Sequence, residues 1–265
     1  MPNPLPPKTT LAALVHPGLV AIRRLWLPFL LIQLCGLALV LSYFRSPALQ
    51  AMCDHLASIK RTGGYAFAAL AMGVASGFVP EIFKLITGID RTLTRQRFRN
   101  AAFNFATFAV IGVGCDAFYR LLAYLLGDSN AVHIVVMKVL ADQFAFSPLF
   151  GTTMIAAAYT LREHRYRLGA TVRSFGVAWY LSRALPVLIP SWCYWLPMTC
   201  LMYSLPASLT FAFNVLAGAA SAMLLVAVAE RKTARSDLSS AQAGPSISTP
   251  AVPLQSGFTR IDAVD

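Results

Sequence analysis

The sequence predicts an all-α fold: a polytopic transmembrane helix bundle of about six membrane segments, four to six of them true spans, with both termini on the same side. Three observations carry this. Of 265 residues, 57% are hydrophobic and 12% are charged, with a mean hydropathy of +0.62; a soluble domain carries about 25% charged residues. The apolar residues fall in runs of roughly twenty, the length that crosses a hydrocarbon core of about 30 Å at 1.5 Å per residue. The runs lack a period-2 alternation, so helices rather than a closed barrel satisfy the backbone in lipid.

Taken in order, residues 1–24 form an N-terminal segment on the cytoplasmic or equivalent side. Its start, MPNPLPPKTT, lacks the basic, apolar, small-residue order of a cleaved signal peptide, and its prolines oppose an amphipathic transit helix. The bundle occupies 25–230. Its apolar segments lie at about 25–44, 65–87, 101–126, 134–160, 169–190 and 192–229. The fifth carries Arg173 and Arg183, which would also suit a helix lying in the interface. The sixth is too long for one crossing, so Pro206 is expected to divide it into an aromatic part and a span from about Ala207. Residues 231–265 are rich in Ser, Ala and Pro and read as a disordered tail.

Basic residues orient the segments. Arg91, Arg95, Arg97 and Arg99 follow the second and Arg162, Arg165, Arg167 and Arg173 the fourth. Lys8, Arg23 and Arg24 precede the first, and Arg231, Lys232 and Arg235 follow the sixth. All of these share one side if six segments cross, leaving Arg45, Lys60 and Arg61 opposite. The positive-inside rule then places both termini on the cytoplasmic side. Aromatic residues Trp26, Trp192, Tyr194, Trp195 and Tyr203 suit interfacial belts.

Charges within apolar segments are the most informative feature. Glu81 and Lys84 are spaced i,i+3; Asp116 and Arg120, and likewise Lys138 and Asp142, are spaced i,i+4. Each acid thus has a cation one turn away on its own helix. The base-free turn GDSNAVH predicts an antiparallel hairpin of segments three and four, with 120 facing about 140 and 116 facing about 144. One polar cluster is expected in the outer half of the bundle: Asp116, Arg120, Lys138, Asp142 and Gln143, joined by Arg183 if the fifth segment crosses. Two readings stay open. The charges are structural ion pairs that set helix register, or they line a watery path, where three cations against two anions would favour anionic solutes. Pro148 should kink the fourth segment, leaving the Phe144 carbonyl in need of a donor, and Pro206 should kink or break the sixth. Small residues predict close helix packing: Gly73 with Gly77, the arc of Gly112, Asp116, Tyr119, Arg120, Ala123 and Gly127, and Ala217 to Ala219.

The pattern excludes several functions. Five cysteines without a CxxC pair and four scattered histidines suggest neither a disulfide framework nor a metal site. No catalytic or cofactor-binding motif is recognisable, so an enzyme is not expected. The net charge of +11 is distributed as membrane-flanking residues rather than a nucleic-acid face. The expected partners are the lipid bilayer and small solutes, with a homo-oligomer left open.

The hairpin of segments three and four resembles the Mpv/PMP family of small organelle membrane proteins. That family pairs a Gly-Pro-x-x-His-x-Trp-Tyr helix with a Lys-x-x-x-Asp-Gln-x-x-x-x-Pro helix after a basic, Asp-led loop. Here the loop is DRTLTRQRFRN and the first helix GVGCDAFYRLL, where Gly112 and Tyr119 match while Val113, Asp116 and Phe118 replace Pro, His and Trp. The second reads KVLADQFAFSP, with Lys138, Asp142, Gln143 and Pro148 in place. The family-like part covers 65–230. The resemblance implies a channel-like multi-pass protein of the mitochondrial inner or peroxisomal membrane in a eukaryote, or of the inner membrane in a bacterium. It links such proteins to metabolite movement, reactive-oxygen handling and organelle DNA maintenance. A non-conducting scaffold in membrane or redox homeostasis is the alternative.

Overall fold

A computed structural model describes residues 11–87 and 94–223, with side chains of the first helix described for Arg23 and from Trp26 onward. The expected tail 231–265, the first ten residues and Arg91 lie outside the described residues. Among the described residues the chain forms seven helices: α1 (Leu11–Arg45), α2 (Pro47–Ile86), α3 (Arg95–Leu126), α4 (Val132–Glu163), α5 (Leu168–Ser174), α6 (Val177–Ser204) and α7 (Ala207–Met223). Five of these (α1, from Trp26 on, with α2, α3, α4 and α6) are long and apolar enough to cross a membrane. The fold is an all-α polytopic bundle.

Local chemistry sets the boundaries. Ser46 separates α1 from α2, and its hydroxyl accepts from the Leu49 amide at 3.3 Å, with Pro47 in the first turn. Thr94 caps α3 in the same way through the Arg97 amide at 3.2 Å. α2 bends at Gly64, where φ is +50° and ψ is −134°; a side chain would be strained in that region. Leu205 turns extended at φ −83° and ψ 158° just before Pro206 and ends α6. The expected break at Pro206 is therefore present.

Two segment boundaries differ from the sequence reading. No break separates 190 from 192: α6 runs on through Pro190 and Pro197 to Ser204. The crossing begins at Val177 rather than 169, because the chain turns extended at Phe175 and Gly176 after the short α5.

Interhelical pairs fix the directions. Glu81 meets Arg97 at one end of α2 and α3, and Lys60 meets Asp116 towards the other, so these helices are antiparallel. Asp142 meets Tyr203 and Glu163 meets Arg183, so α4 and α6 are antiparallel too. The Phe29 and Tyr194 rings lie 5.4 Å apart, and seven residues on the Gly36 position abuts Met198 and Leu201, which sets α1 parallel to α6. Tyr194 donates to the Ala217 carbonyl at 2.7 Å, bringing α7 back alongside.

The core lies between α2, α3 and α7, around Ala68, Met72, Ile111, Cys115 and Phe211. Gly112 allows this contact: a Cβ there would stand 2.5 Å from the Ala68 carbonyl oxygen and 2.6 Å from the Met72 Cβ. The opposite faces are strongly apolar yet open: Leu149, Val177 and Ile86 each remain 77% exposed. In water such a surface would be very unfavourable; in lipid it is the solvated face.

Among the described residues three stretches are π-helical: Gly73–Phe78, Asp142–Gly151 and Tyr180–Ala184. A proline lies inside the second and just beyond the other two, at Pro80 and Pro186. Proline lacks an N–H and crowds the carbonyl four residues back, and a wider turn relieves that crowding. The hairpin register also differs from the expectation. Phe118 stacks on Phe146 at 4.3 Å, and the Gly114 position abuts Phe150; the sequence reading put 116 opposite 144. Both pairs put α4 about one turn ahead of the expected register.

Candidate functional site

The polar residues gather where α3 ends, α4 begins, α6 ends and α7 begins. Asp116 is completely buried, and its two oxygens are held by different helices. Arg120 donates from Nε to Oδ2 at 2.8 Å, the expected in-helix pair. Lys60 of α2 brings its Nζ to 2.7 Å from Oδ1. Arg120 is kept in place by the Tyr65 ring, 4.9 Å from its guanidinium carbon, and Lys60 lies 5.1 Å from the centre of the Phe211 ring. Sequence reasoning assigned Lys60 only to the outer boundary. The pairing was not legible, because it depends on the Gly64 bend and on how α2 lies against α3.

Asp142 is also buried, but not through its expected partner. The Tyr203 hydroxyl donates to its Oδ2 at 2.7 Å and the Gln143 amide to its Oδ1 at 3.1 Å. The expected Lys138–Asp142 pair does not form; the carboxylate is held by Tyr203 and Gln143 instead. Tyr203, read as an interfacial aromatic, is instead the interhelical donor, and it meets Tyr119 edge-on at 5.9 Å. Gln143 is 2% exposed and its Oε1 has no partner among the described residues.

Lys138 is 5% exposed. Among the described residues it makes neither an ion pair nor a hydrogen bond. It lines a cavity of about 110 Å³ together with Lys60, Arg120, Tyr119, Tyr203, Thr210 and Asp128. One water needs roughly 10–15 Å³ on this measure, so several fit. Asp128 and Arg120 are exposed and form the rim.

Arg183 is not in this cluster. It pairs with Glu163 at 2.7 Å, with both side chains about half exposed, at the opposite end of the bundle. The crossing begins at Val177, so Arg183 sits in its second turn rather than at depth. The third sequence pair is found as expected: Lys84 donates to Glu81 at 2.8 Å, and Arg97 adds a contact at 3.3 Å.

Pro148 acts differently from the expectation. The captured carbonyl belongs to Gln143, five residues back, as the π turn requires, and its donor is the Trp192 indole at 2.8 Å. Pro197 repeats the device: the Cys193 carbonyl four residues back accepts from Gln33 at 3.1 Å. The Ser204 carbonyl at the end of α6 accepts from Asn130 at 2.8 Å. Side chains of neighbouring helices, and Asn130 of the turn between α3 and α4, thus satisfy carbonyls that proline or a helix end leaves without a donor.

Among the described residues no group of three or more His, Cys, Asp or Glu is placed to hold a metal ion. No family model, curated protein or solved structure matches this chain.

Proposed function

We propose that this integral membrane protein is channel-like and passes small solutes through a vestibule walled by Lys60, Arg120 and Lys138. The Tyr203–Asp142–Gln143 group behind that wall is then the constriction. The observation that carries the reading is Lys138: a cation without a partner among the described residues, in an apolar bundle, is very unfavourable unless water reaches it, and a cavity of about 110 Å³ lies beside it. The Mpv/PMP resemblance supports the same reading, with Lys138, Asp142, Gln143 and Pro148 at the motif positions. It also suggests the location: a mitochondrial inner or peroxisomal membrane, or a bacterial inner membrane.

A second reading, a non-conducting scaffold, is favoured by Asp116, whose carboxylate is fully enclosed by two cations as a purely structural group would be. Single-channel recording of the purified full chain in planar bilayers separates the two. The pore reading expects discrete openings whose unitary conductance changes in Lys138→Ala. Silence at every voltage would sink conduction and leave the scaffold.

A further inference from the structure

We propose that the cavity between α3, α4 and α7 is a binding site for one small oxyanion, a phosphate or carboxylate group, held by Lys138 and Arg120. The inference rests on the solvent-filled vestibule proposed above and does not require conduction through it.

The argument is an accounting of donors and acceptors. The Asp116 oxygens are occupied by Lys60 and Arg120. Those of Asp142 are occupied by Tyr203 and Gln143. Each of these oxygens therefore already faces a donor or a cation. Donors do remain in front. Lys138 has an ammonium with three N–H groups and no partner among the described residues, and it is 5% exposed. Arg120 uses only Nε on Asp116, and the ring of Tyr65 fixes the plane of its guanidinium. Its terminal nitrogens form a fork suited to a planar or tetrahedral oxyanion. Among the lining residues the one acid is Asp128, exposed at the rim, and it is the anion's internal competitor for Lys138. A volume of about 110 Å³ falls well below the roughly 300 Å³ at which drug-sized ligand pockets begin. It suits one anionic group.

Such a group could belong to a free solute or to a lipid headgroup, and the experiment has an arm for each. In lipid-free neutral detergent, the full chain is titrated with potassium phosphate against potassium chloride at equal ionic strength, with calorimetry and the unfolding midpoint as readouts. In nanodiscs, phosphatidylcholine with phosphatidic acid is compared with phosphatidylcholine alone. Saturable phosphate binding is expected in at least one arm, and the arm that responds identifies the source. Lys138→Met should weaken it about ten- to hundredfold, Lys138→Arg should retain it, and Asp128→Asn should tighten it. Lys138→Met removes an unpaired buried charge and is expected to fold. Absence of saturable binding in both arms, or binding by Lys138→Met equal to the parent, would overturn the site. Binding without current in planar bilayers would uphold the site and sink conduction; current without binding would do the reverse.

Discussion

The Trp192 indole donates to the Gln143 carbonyl at 2.8 Å, five residues before Pro148, whose ring nitrogen cannot donate to it. One side chain on α6 thus satisfies a backbone group left open by a proline on α4. Trp192→Phe would keep an aromatic ring against Phe144, now 5.2 Å away, and remove only the donor. The expected loss is about 1–2 kcal/mol, near the cost of leaving a buried carbonyl unpaired. A thermal or denaturant unfolding series in detergent reads it; an unchanged midpoint would show that water replaces the indole.

Tyr203→Phe tests the Asp142 anchor. The hydroxyl is the interhelical donor to this carboxylate, and Gln143 alone then remains. A loss of roughly 2–3 kcal/mol is expected, in the range for hydrogen bonds to buried charged groups. Asp142→Asn combined with Tyr203→Phe should be less than additive, because the two groups share one interaction. Additive losses would argue that the bond contributes little.

Lys60 and Asp116 form the longest-range ion pair of the site. Lys60→Met leaves a buried carboxylate held only by Arg120, at a cost of about 3 kcal/mol or more. Lys60→Met with Asp116→Asn should recover part of it. A double-mutant cycle measured by urea unfolding gives the coupling, and zero coupling would mean that the two side chains do not pair in the folded protein.

Gly112→Ala tests the packing of α2 on α3. The added methyl would stand 2.5 Å from the Ala68 oxygen, a rigid backbone atom, so the helices must separate. A loss of about 1–3 kcal/mol is expected from such overpacking. Gly151→Ala is the control, since nothing stands within 4 Å of its Cβ position. Equal midpoints for the two variants would contradict the close approach.

Arg183→Ala should change little. Its partner Glu163 and Arg183 itself are each about half exposed, and such surface pairs contribute well under about 1 kcal/mol. If a pore is recorded, this variant should conduct as the parent does. An altered unitary conductance would return Arg183 to the path from which the structure removes it.

The all-α fold, the apolar spans, the break at Pro206 and two ion pairs, Glu81–Lys84 and Asp116–Arg120, are legible in the sequence. These follow from composition and from spacing within one helix, where three or four residues bring side chains together whatever the surroundings. Lys138 and Asp142 show the limit of that rule: the same spacing produced no pair, because Tyr203 and Gln143 reached the carboxylate instead. The tertiary structure alone decided that Lys60 closes on Asp116, that Trp192 serves the Gln143 carbonyl, and that Arg183 leaves the cluster. Each depends on the rotation and axial offset of one helix against another. Those go with the bend at Gly64, the contact at Gly112, the start of α6 at Val177 and the π-helical stretch around Pro148. Local spacing does not encode such offsets, so the partner of each buried charge had to come from the packed bundle.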